Sequence, residues 1–136
     1  MRLLLDTHTL LWALSAPQKL PASLRRAVQA AENDVYASLA SAWEIAIKAA
    51  LGKLDFDVRT LDRTLAATRI QTLDIGLAHV ARVSELPHYH GDPFDRMLVA
   101  QAMCESMTLV SRDRTLAKYN VKLLWGDASH ARTRNA

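Results

Sequence analysis

At 136 residues, half of them hydrophobic and 23% charged, the chain is long enough to bury one core and too apolar to be a disordered tail. No apolar run reaches membrane-spanning length, the opening run lacks a signal-peptide cleavage site, and the single cysteine, Cys104, excludes an intrachain disulfide. These features predict one soluble domain in a reducing cytoplasm, and the balance of 17 Lys+Arg against 14 Asp+Glu, net +3, permits a polyanionic partner without demanding one.

Arg2 to Leu5 is an apolar run too short for a helix and suited to a buried central strand. Thr7 or Thr9 can cap the helix that follows, where Leu10, Leu11 and Leu14 recur at helical spacing. Pro17 and Pro21 end it, and a second helix runs from near Pro21 through Leu24, Val28 and Ala31. Val35-Tyr36-Ala37 reads as a second strand. A long helix then carries Leu39, Trp43, Ile47, Ala50 and Leu51 on one apolar stripe, with Glu44 on its shoulder, until Gly52. A helix over 60–68, a thin strand over Ile70–Ile75 and a short helix from Gly76 to Pro87 come next. The loop His88-Tyr-His-Gly-Asp-Pro93 leads into Phe94–Ser106, a helix apolar nearly all round, in which Cys104 reads as a buried small hydrophobe. Thr108–Ser111 is a fourth strand, a short helix runs to Tyr119, and Val121–Trp125 is the last strand. Strands alternating with helices predict an α/β/α sandwich around a parallel sheet of four to five strands. The domain is expected over 1–125, with 126–136 a loose tail. The four glycines form no phosphate-binding loop.

Four acids fall at the carboxyl edge of such a sheet: Asp6 after the first strand, Glu44 early in the helix after the second, Asp95 at the opening of the 94–106 helix, and Asp113 after the fourth strand. Each also has an ordinary structural use. Asp6 and Asp113 can cap helices, Ser41-Ala-Trp-Glu44 fits a capping box unless Ser38 is the cap, and Glu44 pairs with Lys48 at i,i+4. Asp92-Pro-Phe-Asp95 is a favourable helix start with Asp92 as its cap. Taken together the acids exceed these uses. Like charges 4 Å apart repel by about 4 kcal/mol at an effective dielectric of 20, and no Lys or Arg is spaced to offset each one, so a hard divalent cation with oxygen ligands is expected. His88 and His90, without cysteine partners, read as polar loop. Several basic pairs, among them Arg25/Arg26, Arg112/Arg114 and Lys118/Lys122, read as solvated surface unless they border the acidic pocket.

The segments Leu-Leu-Leu-Asp6-Thr-His-Thr-Leu-Leu-Trp, Ser-Ala-Trp-Glu44-Ile-Ala-Ile-Lys, His-Gly-Asp-Pro-Phe-Asp95-Arg-Met-Leu-Val-Ala-Gln-Ala and Thr-Leu-Val-Ser-Arg-Asp113 resemble PIN-domain ribonucleases, in particular the VapC-type toxins of toxin–antitoxin pairs. The resemblance runs from Met1 to about Trp125. It implies an endoribonuclease dependent on Mg²⁺ or Mn²⁺, with Asp6, Glu44 and Asp95 as metal-binding acids, Asp113 as a fourth, and Asp92 left as a cap. It also implies an RNA substrate, a cognate antitoxin whose apolar segment lies near Trp12 and Trp43 unless those rings are core, and a homodimer whose face the chain does not locate. Arg96, Arg112 and Arg114 are then candidates to hold phosphates. Three rivals fare worse. An α/β phosphatase wants a second Asp where His8 stands, a receiver domain wants a Lys after a late strand where Ser111-Arg-Asp113 offers none, and a silent PIN-like module commonly loses the acids kept here.

Overall fold

The strand run Leu3-Leu4-Leu5 is buried on both faces, and everything else is arranged around it. In the computed structural model, which describes residues 1–126 and the backbone of 132–133, Arg2–Leu5 forms β1, with β2 (Asp34–Ser38) on one side and β4 (Thr108–Val110) on the other, both parallel to it. β3 (Gln71–Leu73) extends the sheet beyond β2, and β5 (Lys122–Leu124) beyond β4. The five parallel strands run in the order β3-β2-β1-β4-β5, and a two-residue β6 (Arg132–Thr133) adds an antiparallel edge to β5. The expected parallel sandwich is present. Most of the expected tail lies outside the described residues.

Because side chains alternate along a strand, β1 feeds two cores. Leu3 and Leu5 enter a cluster with Leu10, Leu24, Ile45, Leu61 and Leu65, drawn from α1 (Thr7–Ser15), α2 (Ala22–Gln29), α3 (Leu39–Ala50) and α4 (Leu61–Ala67). Leu4 points the other way, into a cluster built on Leu98, Val99 and Ala102 of α6 (Pro93–Glu105) and closed by Leu86 beyond α5 (Leu77–Glu85). Leu3, Leu4, Leu5, Leu10, Leu24 and Leu98 are fully buried, worth about 2 kcal/mol apiece.

Two sequence expectations are corrected here. The apolar stripe of α3 faces outward: Leu39, Trp43, Ile47 and Leu51 are exposed, whereas Ala40, Ser41, Glu44 and Ile45 form the buried face. Periodicity reports that a helix has two faces, and here the small residues suit the tight approach to the sheet. Trp43 still packs edge-on against Phe94, ring centroids 5.4 Å apart, while Trp12 is half-buried between His8 and Trp125. Cys104 is only half-buried, its Sγ 3.8 Å from the Ala78 carbonyl oxygen.

Candidate metal centre

The strand order turns back between β1 and β4, and a crevice opens at their carboxyl ends, where an open α/β sheet binds ligands. Asp6 is the first residue past β1. Its backbone N–H donates to the Val110 carbonyl at 3.0 Å, tying it to the end of β4. Asp6 itself caps α1, its Oδ1 accepting the Thr9 N–H at 2.8 Å; Thr7 and Thr9 lie inside the helix instead. Among the described residues its second carboxylate oxygen takes no hydrogen bond, so capping leaves one oxygen for the crevice.

Ser38 caps α3, its Oγ accepting the Ala40 N–H at 2.9 Å. That choice over Ser41 sets Glu44 one turn deeper, on the buried face. Its Oε2 lies 2.8 Å from the Lys48 ammonium, and this hydrogen bond, first among the causes, holds the Lys48 pKa above its ordinary value, with the charges of Asp92 and Asp95 adding to it.

Asp92 takes the capping role that the sequence predicts. Asp92 Oδ1 accepts the N–H groups of both Phe94 and Asp95, at 2.8 and 3.0 Å, and Pro93 occupies the first helical position, where no N–H is needed. Asp95, one turn in, is left facing the crevice. Its pKa is pushed up to about 7, first by burial and then by the charges of Asp92, Asp6 and Glu44, against a weaker opposing pull from His90. Asp113 caps the turn Arg114–Lys118 through Thr115 N–H, 2.9 Å. Burial acts to raise its pKa, but hydrogen bonds from His90 and Thr115 outweigh that and hold it below the usual range.

His90, read from the sequence as polar loop, belongs to the site. Its Nε2 lies 2.8 Å from Asp113 Oδ2 and 3.5 Å from Asp95 Oδ2, and the donor atoms of His90, Asp95 and Asp113 all fall within 4.8 Å of one another. His88 stays exposed. The one signal that pointed to His90 is its place two residues ahead of Asp92-Pro-Phe-Asp95.

Arg96 is a second correction. It is buried, and its guanidinium donates to the carbonyls of Pro87 (2.9 Å), Val83 and Leu86 (both 3.3 Å) and to the Tyr119 hydroxyl (3.2 Å). It ties the end of α5 to α6 and has no face for phosphate. The cations that do line the cleft are Lys48, Lys53 and Arg112, with Arg112 stacked 5.5 Å above the Trp12 ring; Arg114 is exposed and not part of the cleft wall. The cleft, about 560 Å³, gathers Asp6, Glu44, Asp92, Asp95 and Asp113 among its walls. Lys48 neutralises Glu44 alone. The remaining oxygen donors, and the buried, negatively charged surroundings of Asp95, fit a hard divalent cation.

The sequence profile of the PIN domain matches residues 3–132. The chain belongs to the PIN domain family. This PIN domain is 29% identical over 118 residues to Ribonuclease VapC22 of Mycobacterium tuberculosis, a match covering 85% of this chain and 90% of that protein. It is similar in fold to VapBC2 from Rickettsia felis bound to a DNA fragment from their promoter, with a TM-score of 0.69 at 18% identity, covering 92% of this chain and 99% of that one. VapBC-1 from nontypeable Haemophilus influenzae gives 0.61 at 16%, covering 95% and 99%, and FitAcB from Neisseria gonorrhoeae 0.55 at 20%, covering 94% and 99%. At such identities the likeness is one of fold, and it spans the whole PIN domain.

Proposed function

We propose that this PIN domain is an endoribonuclease dependent on Mg²⁺ or Mn²⁺ and the toxin of a toxin–antitoxin pair. The observation that carries the reading is the convergence of Asp6, Glu44, Asp95 and Asp113 on one cleft, where burial first, and then the charges of Asp92, Asp6 and Glu44, lift the Asp95 pKa to about 7. The relative named a ribonuclease, and the VapBC structures that share the fold, support it.

In this reading Asp6 and Asp95 hold the cation, with Glu44 directly or through water and Asp113 as a fourth acid. The ion supplies Lewis acidity that activates water for attack on the phosphodiester and offsets charge at the scissile phosphate. The chain's own groups do the rest. Lys48, Lys53 and Arg112 hold the phosphates that flank the cut, and the cleft admits single-stranded or looped RNA more readily than a stacked duplex. An antitoxin silences such a site by placing an Arg or Lys against the uncompensated carboxylates, and the exposed Leu39–Leu51 stripe of α3 offers an apolar face for its docking segment.

The test is Asp6→Asn with and without chelator. Asn keeps the cap on Thr9, so the fold should hold while RNA cleavage and Mn²⁺ binding are lost. Cleavage that survives chelator removes the metal from the reading. A neighbouring gene product that neither binds nor relieves growth inhibition removes the toxin and leaves the nuclease.

A further inference from the structure

Asp113 is the least sheltered of the site carboxylates whose side-chain exposure bears on the cleft, 39% accessible against 23% for Asp95 and 10% for Glu44. It stands on a short strand-to-turn segment between two exposed arginines, where a carboxylate samples several rotamers unless something holds it. Thr115 N–H takes Oδ1. Oδ2, the oxygen aimed toward Asp95, is met by His90 at 2.8 Å.

His90 is itself fixed at two further atoms. Its Nδ1 accepts the Asp92 N–H at 3.1 Å. Its backbone N–H donates to the Tyr119 hydroxyl at 3.1 Å, and that buried hydroxyl also accepts from Arg96. Arg96 in turn is anchored on three carbonyls. The chain of contacts runs from the end of α5 through Arg96, Tyr119 and His90 to Asp113, joining the loop before α6 to the segment after β4. The bond at Nδ1 also decides the chemistry. A neutral imidazole whose Nδ1 is an acceptor carries its proton on Nε2. Nε2 therefore presents an N–H to the carboxylates and has no lone pair for a metal.

We propose that His90 is a positioning residue of the metal centre, which donates from Nε2 to Asp113 and steers that carboxylate toward Asp95, rather than a nitrogen ligand. The inference rests on the metal-nuclease reading above. Hydrogen bonds of this kind orient ligating carboxylates, and their loss typically costs 10- to 100-fold in metal affinity.

The test is calorimetric titration of the intact protein with Mg²⁺ and, separately, Mn²⁺. His90→Ala, and His90→Leu, which keeps volume, should weaken both ions 10- to 100-fold by the same factor. His90→Gln, whose amide N–H reaches the same oxygen, should restore most of the affinity. In an Asp113→Asn background, His90→Leu should bring no further loss, a dependence that a merely structural role would not show. A loss confined to Mn²⁺ overturns the proposal, because a nitrogen ligand favours the softer ion. Unchanged affinity in His90→Leu, or losses that multiply with Asp113→Asn, overturns it as well. If Asp6→Asn abolishes binding and His90→Leu does not, the proposal fails alone. If the wild-type protein binds neither ion, the metal reading fails and takes this inference with it.

Discussion

Asp95→Asn should make the metal-free protein more stable at neutral pH while destroying its metal site. Asp95 has a folded pKa of about 7 against an ordinary 3.8, so between these values the folded state binds more protons than the unfolded one. Stability from this residue is therefore full below about pH 4, declines as pH rises, and is gone above about pH 7. At about 1.4 kcal/mol per pH unit the displacement is worth about 4 kcal/mol. The side chain is 23% accessible, and screening by solvent reduces the effect to about 2 kcal/mol. Asn also gives up a favourable charge in the first turn of α6, worth roughly 0.5 kcal/mol. The net gain is about 1.5 kcal/mol, or roughly 5 °C in melting temperature for a chain of this length. Thermal unfolding in chelator should show Asp95→Asn melting about 5 °C above wild type at pH 8 and converging on it by pH 4. Saturating Mg²⁺ should raise the wild type and leave the variant unmoved. Equal melting curves across the pH range would refute the claim that burial and neighbouring acids together penalise the charged form of this carboxylate.

Asp92→Asn should be nearly silent in stability, because Asn caps as well as Asp, whereas Asp92→Ala strands two N–H groups and should lower urea-unfolding stability by about 1 kcal/mol. Lys48→Met removes the ammonium that occupies Glu44, so Mg²⁺ affinity in calorimetry should rise while RNA affinity in filter binding falls. Arg96→Met removes the guanidinium from three carbonyls and the Tyr119 hydroxyl and should cost about 3 kcal/mol in urea unfolding.

What the sequence made legible depended on how local the governing physics was. The strand–turn–helix unit around Asp6 is written in a four-residue apolar run and a capping acid, and Asp92-Pro-Phe-Asp95 carries its helix start in its own side chains, so both could be read from neighbours in the chain. That four acids would meet in one cleft followed from the strand ends. Arg96 misled because an arginine is usually solvated, and nothing near it in sequence reveals that the carbonyls of Val83, Leu86 and Pro87 converge on it. His90 was missed for the same reason: its partner Asp113 is 23 residues away. The α3 stripe shows the remaining gap, since periodicity fixes a helix's two faces but leaves open which one turns inward.

The placement of the four acids has a consequence for the order in which the protein comes into being. Asp6, Glu44, Asp95 and Asp113 stand on four separate segments, and the crevice between β1 and β4 exists only once β4 has paired beside β1. A nascent chain emerges at about 5 to 20 residues per second. For most of its synthesis it carries the first acids on a half-built sheet with no opposite wall. A chain released before Asp113 lacks one wall of the cleft however well its first half folds, so premature termination leaves the four acids unassembled. The cleft is therefore completed late in synthesis and in one step, when its last wall docks beside the first.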